Sequence, residues 1–177
     1  MERSFHVGRH GGLSGMTTGY ILMLVGVNTV AWLVIHLGFA WTGTRLAANR
    51  FNPAAGWYRP RSFEEDGRLY ERWFGVRRWK DLMPDGAAWF KGGFPKRGLR
   101  ALDSTYLQRF LVETCRGEFV HWMVFAAGLL FFIWNPPAVA LAMLLYAAIA
   151  NLPCIVIQRY NRIRLRRLLE RRQHERN

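Results

Sequence analysis

The chain has 177 residues, 51% of them hydrophobic, and its 25 Lys and Arg against 12 Asp and Glu leave a formal charge of +13. The apolar residues are gathered into long blocks with the charges between them, which excludes an ordinary soluble globule and predicts an all-α integral membrane protein with about three transmembrane helices. The basic excess flanks those blocks, where it satisfies the positive-inside rule and meets anionic membrane lipid, so nucleic acid is excluded as the partner.

Residues 1–16 read as an N-terminal tail. The next segment, 17–41, carries no formal charge from Thr17 to Trp41 and is long enough to cross a hydrocarbon core of about 30 Å. Arg3 and Arg9 ahead of it raise the alternative of a cleaved signal peptide. The run exceeds a signal core of about 7–15 residues and lacks an Ala-x-Ala site, so a retained helix is preferred. His36, within it, reads as a packing group.

Residues 44–103 form a basic, aromatic-rich segment. A short helix is expected from Glu64 to Phe74, where Leu69, Tyr70, Trp73 and Phe74 recur at spacings of three and four, and it suits the inner membrane interface. From Asp81 to Gly98 the chain is rich in Gly and Pro and reads as a loop able to close over a site. Asp103 or Ser104 then caps a helix. That helix runs through Glu113 into a second span ending at Trp134. Asn135-Pro136 turns the chain into a third span from Pro137 to Ile157, so residues 104–158 form a helical hairpin. The remainder, 159–177, is a basic tail with eight Arg against Glu170 and Glu175. That asymmetry puts the C-terminus and the segment between the first two spans in the cytoplasm, and the uncharged hairpin turn outside. Cys115 and Cys154 have no metal-type spacing and suggest neither zinc nor a disulfide.

Three constellations carry chemistry. In Glu113-Thr-Cys-Arg-Gly-Glu-Phe-Val-His-Trp122, residues Thr114, Glu118, His121 and Phe125 share one helix face and Glu113 and Arg116 an offset one. A carboxylate one turn from an imidazole can orient it as a general base, and it can equally serve helix packing. One Glu-x-x-His motif does not make a di-iron site, which needs two, so no metal is expected. In the third span Asn151, Ile155, Gln158, Arg162 and Arg166 make a polar stripe, suited either to interhelical bonds and lipid headgroups or to binding a phosphate or sugar. Pro153 lies within it and releases the carbonyl of Ile149. The third constellation runs from Trp73 through Trp79, Lys80 and Asp85 to Gly86, interleaving aromatic and basic residues as an interfacial anchor or a sugar and acyl-chain platform. Asp85 in Pro-Asp-Gly also fits an ordinary turn.

These blocks, in this order, resemble the glycosyl-4,4'-diaponeurosporenoate acyltransferase family of bacterial membrane proteins of carotenoid biosynthesis. The resemblance rests on Trp73-Phe-x-Val-Arg-x-Trp-Lys80 with Asp85-Gly86, on Glu113-Thr-x-Arg-x-x-Glu-x-x-His-Trp122, and on Ala148-x-Ala-Asn-x-Pro-x-x-x-x-Gln-Arg-Tyr-Asn-Arg-x-Arg-Leu165. It implies transfer of a fatty acyl group to a sugar hydroxyl of a lipidic glycoside, a carotenoid glycoside in the family, in the cell membrane. No bound cofactor is implied, and the acyl donor, acyl-CoA or acyl phosphate, is a substrate. On this resemblance His121 and Glu118 are the expected catalytic pair. The expected substrate-binding residues are Asn151, Gln158, Arg159, Asn161, Arg162, Trp79, Lys80, Asp85, Glu113, Arg116 and Trp122. Two rivals remain open from the sequence: a non-enzymatic membrane subunit or lipid-binding adaptor, and a transferase acting on another glycolipid.

Overall fold

A computed structural model describes residues 17–83 and 103–175; among them every regular element is helical and no strand occurs. The N-terminal tail and most of the turn-rich loop after Met83, including Asp85, lie outside the described residues.

The first helix, α1, spans Thr18–Arg45 and starts where the Thr17 hydroxyl accepts from the Tyr20 amide at 3.4 Å. Short 3-10 turns follow, then helices α2 (Arg68–Phe74) and α3 (Val76–Trp79), separated by Gly75. Helix α4 runs Ser104–Ala127 and tightens into a 3-10 segment to Ile133. Its N-cap is Asp103, whose carboxylate accepts from the Tyr106 amide at 2.8 Å. Helix α5 covers Pro137–His174, 38 residues and therefore about 57 Å long. Pro at its first position suits a helix start, and it continues unbroken through Pro153 and across the junction with the basic tail. Among the described residues, three helical stretches, Thr18–Arg45, Ser104–Ile133 and Pro137–His174, are long and apolar enough to cross a membrane.

The helix expected from Glu64 begins at Arg68 instead. Glu65, Asp66 and Gly67 adopt φ of 48°, 58° and 92°, a left-handed run that interrupts any α-helix. Only Gly67 occupies that region at no steric cost. The turn closes a 3-10 segment, Ser62–Gly67, and its effect is to aim Glu64 inward, where it is fully buried.

Helices α4 and α5 form an antiparallel hairpin. They touch at Gly128, where a Cβ would come within 3.0 Å of Ala147 Cβ. Helix α1 runs antiparallel to α4: Asn28 is level with Asn135, Trp32 stacks on Phe131 at 4.5 Å, and Gly43 meets Val120. A Cβ on Gly43 would sit 2.5 Å from Val120 Cγ2, so the residue's smallness sets this crossing. The far side of α1, with Leu22, Val30, Leu33 and Val34, is exposed. Beyond the apolar part of the bundle, α4 and α5 stay together through Leu107, Phe110 and Leu111 against Leu165 and Leu169. The segment between α1 and α4 folds onto α5 there, burying Tyr70 and Val76 against Ile157, Tyr160 and Ile163. Burial of each such side chain contributes roughly 1.5–3 kcal/mol, which holds this strap against the charged end of the bundle.

Candidate functional site

Helical periodicity turns Glu118 and His121 of α4 toward α5, which answers with Asn151, Arg159 and Arg162. Glu118 and Arg162 are 0% and 1% exposed, burial that charged groups tolerate only when paired. Each Glu118 oxygen is engaged by a guanidinium: Oε1 accepts from Arg159 Nη1 at 3.0 Å, and Oε2 pairs with Arg162 Nη2. The opposite side of the Arg159 fork grips Glu64, with Nε to Oε1 at 2.9 Å and Nη2 to Oε2 at 3.2 Å. The result is a line, Glu64–Arg159–Glu118–Arg162, that alternates in sign and sums to zero. Good geometry and complete pairing offset the desolvation that would otherwise make three buried charges and a half-buried fourth, Arg159, prohibitive.

Aromatic groups close the line. Tyr70 donates to Glu64 Oε1, the Arg61 amide donates to Oε2, and the Trp57 carbonyl accepts from Arg159 Nη1 at 3.2 Å. Arg162 lies 5.5 Å from the centre of the Tyr58 ring and donates toward Cys115 Sγ at 3.5 Å. Burial alone would push the Glu64 carboxyl up, but its bonds from Arg159, Tyr70 and Arg61 outweigh that and hold it below the ordinary glutamate value. Tyr70 is pushed up to about 12, first by burial and then by the Glu64 carboxylate it serves. Burial also raises Tyr58, helped by Cys115 and Glu118 and opposed by Arg162.

His121 Nδ1 lies 3.0 Å from Asn151 Oδ1. The Asn151 amide cannot be turned the other way, because its Nδ2 donates to the Ala147 carbonyl at 2.9 Å and a carbonyl only accepts. Oδ1 is therefore the acceptor and His121 Nδ1 carries the hydrogen. In the neutral ring that leaves the lone pair on Nε2, the tautomer a base needs.

The other predicted residues divide between this hub and its surroundings. Trp122, next to His121, meets Trp57 edge-on at 5.9 Å, and its Nε1 is buried without a hydrogen-bond partner among the described residues. Gln158, on the α5 stripe, likewise has a buried Oε1 without a partner among the described residues. Asn161 lies half-buried on α5 beside Arg162. Glu113 and Arg116 pair at 3.4 Å and belong to a separate open cleft of about 420 Å³ with Ala48, Thr105, Gln108, Arg109 and Val112. Arg116 also stands 5.4 Å from the Phe51 ring centre. Trp79 packs with the strap and donates to the Phe74 carbonyl at 2.7 Å, while Lys80 bonds Asp81 at 2.6 Å. Sequence reasoning did not single out Glu64, Tyr70 or Trp57 as site residues. Glu64 stood in an expected amphipathic helix, and only the tripeptide Glu-Asp-Gly hinted at a turn.

The family model described as glycosyl-4,4'-diaponeurosporenoate acyltransferase matches residues 54–171, from the strap to the end of α5. A protein of that name from Staphylococcus aureus strain bovine RF122 / ET3-1 is 34% identical over 138 residues, covering 78% of this chain and 83% of its own. The namesakes from strains USA300 and NCTC 8325 / PS 47 are 33% identical over the same coverage. No solved structure matches the chain. The matched region contains the Glu64–Arg159–Glu118–Arg162 line and the His121–Asn151 pair, and the chain belongs to the glycosyl-4,4'-diaponeurosporenoate acyltransferase family: it is an acyltransferase.

Proposed function

We propose that this chain spans the cell membrane three times, with its charged end and C-terminus in the cytoplasm, and esterifies a sugar hydroxyl of a lipidic glycoside with a fatty acyl group. The relatives' name supplies the acceptor, a glycosyl-4,4'-diaponeurosporenoate. The uncharged hairpin turn and the basic end of α5 support the orientation. Donor and acceptor both carry long apolar chains, and a site at the junction of apolar bundle and charged strap lets their reactive heads meet while the chains stay in lipid.

The observation that carries the mechanism is the His121–Asn151 contact. His121 Nε2 takes the proton of the attacking hydroxyl as its oxygen bonds to the acyl carbonyl carbon. The bond from that carbon to the donor's leaving group, a thiolate or a phosphate, breaks, and the imidazolium returns the proton to it. Asn151 keeps the ring in the required tautomer. Glu118, one turn away and clamped by two guanidinium groups, offers a fixed negative charge to the imidazolium. Both arginines are matched by carboxylates, so donor recognition falls to other groups. The unpartnered Trp122 Nε1 and Gln158 Oε1 suit sugar hydroxyls, which both donate and accept.

Ester formation is followed by mass spectrometry in membranes supplied with the glycoside. His121→Ala lowers turnover about 10²–10⁴-fold, the usual contribution of a general base. Asn151→Ala lowers it about 10–100-fold, in line with about 1–3 kcal/mol for removing the partner of a buried donor. Wild-type turnover in correctly inserted His121→Ala rules out the base assignment.

A further inference from the structure

We infer that Glu64 is a positioning residue of the acyl-transfer site: by occupying one side of the Arg159 fork it directs the other side onto Glu118 and seats the strap that carries Trp57. The inference rests on the proposed function of the His121 site.

Three observations carry it. First, Glu64 belongs to the strap and not to the helical bundle, yet it is 0% exposed and both of its oxygens are used. A carboxylate delivered this far inward from a peripheral segment must be matched there, and Arg159 matches it bidentately. Second, the backbone is bent for the purpose. Glu65 and Asp66, neither of them glycine, hold positive φ, a conformation that persists only where surrounding contacts impose it and that gathers at functional sites. Third, Arg159 is half-buried and, among the described residues, has no other carboxylate on its Nε and Nη2 edge. Remove Glu64 and the guanidinium loses the restraint that keeps Nη1 on Glu118 Oε1 and on the Trp57 carbonyl.

The consequences fall on orientation. Glu118 retains Arg162, so the bundle still pairs its most deeply buried charges. What relaxes is the angle of the Glu118 carboxylate and the place of Trp57 against Trp122. A residue acting this way alters turnover more than acceptor affinity, and it acts only while Arg159 is present.

The test uses the full chain in lipid nanodiscs, with glycosyl-4,4'-diaponeurosporenoate varied as acceptor and palmitoyl-CoA or palmitoyl phosphate as donor. Rates are normalised to monodisperse, thermally cooperative protein. Glu64→Gln, which preserves shape, is expected to lower kcat about tenfold while KM for the acceptor stays within twofold. Arg159→Gln is expected to lower kcat at least as much, and the double variant to match Arg159→Gln within twofold. Wild-type kcat in folded Glu64→Gln, or losses that multiply in the double variant, overturn the inference while leaving the enzyme active. A wild-type protein that makes no ester from either donor overturns the acyl-transfer reading and this inference with it.

Discussion

The two ends of the bundle solve the same problem with opposite chemistry. At the hairpin end, Asn28 of α1 and Asn135 exchange hydrogen bonds at 2.9 and 3.0 Å, Trp134 Nε1 adds a third to Asn28 Oδ1 at 2.9 Å, and Asn135 also donates to the Phe131 carbonyl. Every group is neutral and none titrates. At the other end, four charges from three separate segments form one line, with Glu64, Glu118 and Arg162 buried and Arg159 half-buried. Neutral amides suffice to dock a helix in an apolar surrounding, at a contribution of about 1–2 kcal/mol for each bond. A full ionic line exceeds that requirement and brings a larger penalty whenever it is incomplete. The end that carries the charges is also the end that carries His121, the base proposed above, whereas the amides lie where α1 docks on the hairpin.

Breaking each end in turn tests this contrast. The largest effect is expected at Glu118. Glu118→Ala leaves Arg162, 1% exposed, with no carboxylate and is expected to destabilise the protein by about 3–5 kcal/mol, read as loss of monodisperse material or a lowered Tm in detergent. Pairing Glu118→Gln with Arg162→Met removes the uncompensated charge and is expected to restore much of the stability. Turnover is not expected to return, because the charge beside His121 is gone. Recovery of both stability and turnover in the double variant would make the ionic end a packing device like its opposite.

How much of this could be read from the chain depends on how local each feature is. The uncharged blocks marked the three long helices, the Asn135-Pro136 turn is a short-range signal that the structure reproduces, and of the two cap candidates, Asp103 and Ser104, the structure uses Asp103. The ordered motifs around Trp73, Glu113 and Asn151 pointed to the family the chain belongs to. Periodicity placed Glu118 and His121 on one face of α4 and Asn151 and Arg162 on one stripe of α5. It had no means of deciding which neighbour occupies His121 Nδ1. Asn151, 30 residues away, lies beside that nitrogen, while both Glu118 oxygens are paired with arginines 41 and 44 residues away. Glu64 was hidden for the same reason. Its function depends on a left-handed turn at Glu65 and Asp66 that has no residue preference strong enough to announce it, and on a partner 95 positions further along. Nothing local marks Asn28 as part of a lock, because its partner is 107 residues distant.

The hairpin end should respond more mildly. Asn28→Ala leaves Trp134 Nε1 without its acceptor and deprives Asn135 of its exchange partner, an expected loss of about 1–2 kcal/mol in unfolding free energy. Replacing Asn28 and Asn135 together with Leu removes buried donors and acceptors as a set, so it is expected to recover part of that loss. Turnover per folded molecule should stay near wild type in both variants. A fall in turnover exceeding the loss of folded protein would show that α1 docking is coupled to the site, and the division between the ends would fail.

The mildest perturbation is pH, and it separates the ends without any change in the amide lock. The folded state holds the Glu64 carboxyl below the ordinary glutamate value of 4.5, since burial, which raises it, is outweighed by Arg159, Tyr70 and the Arg61 amide. A group with a depressed folded value contributes stability in full above its unfolded value and loses that contribution as pH falls through the folded one. The Tm difference between wild type and Glu64→Gln should therefore be level from neutral pH down to about 5 and shrink below the ordinary carboxylate range. The Tm difference between wild type and Asn28→Ala should not change over the same interval, because none of its groups titrates there. A Glu64→Gln difference that also ignores pH would mean that the strap is held by its apolar contacts to Tyr160 and Ile163 alone, and the ionic line would lose its claim to set the geometry around His121.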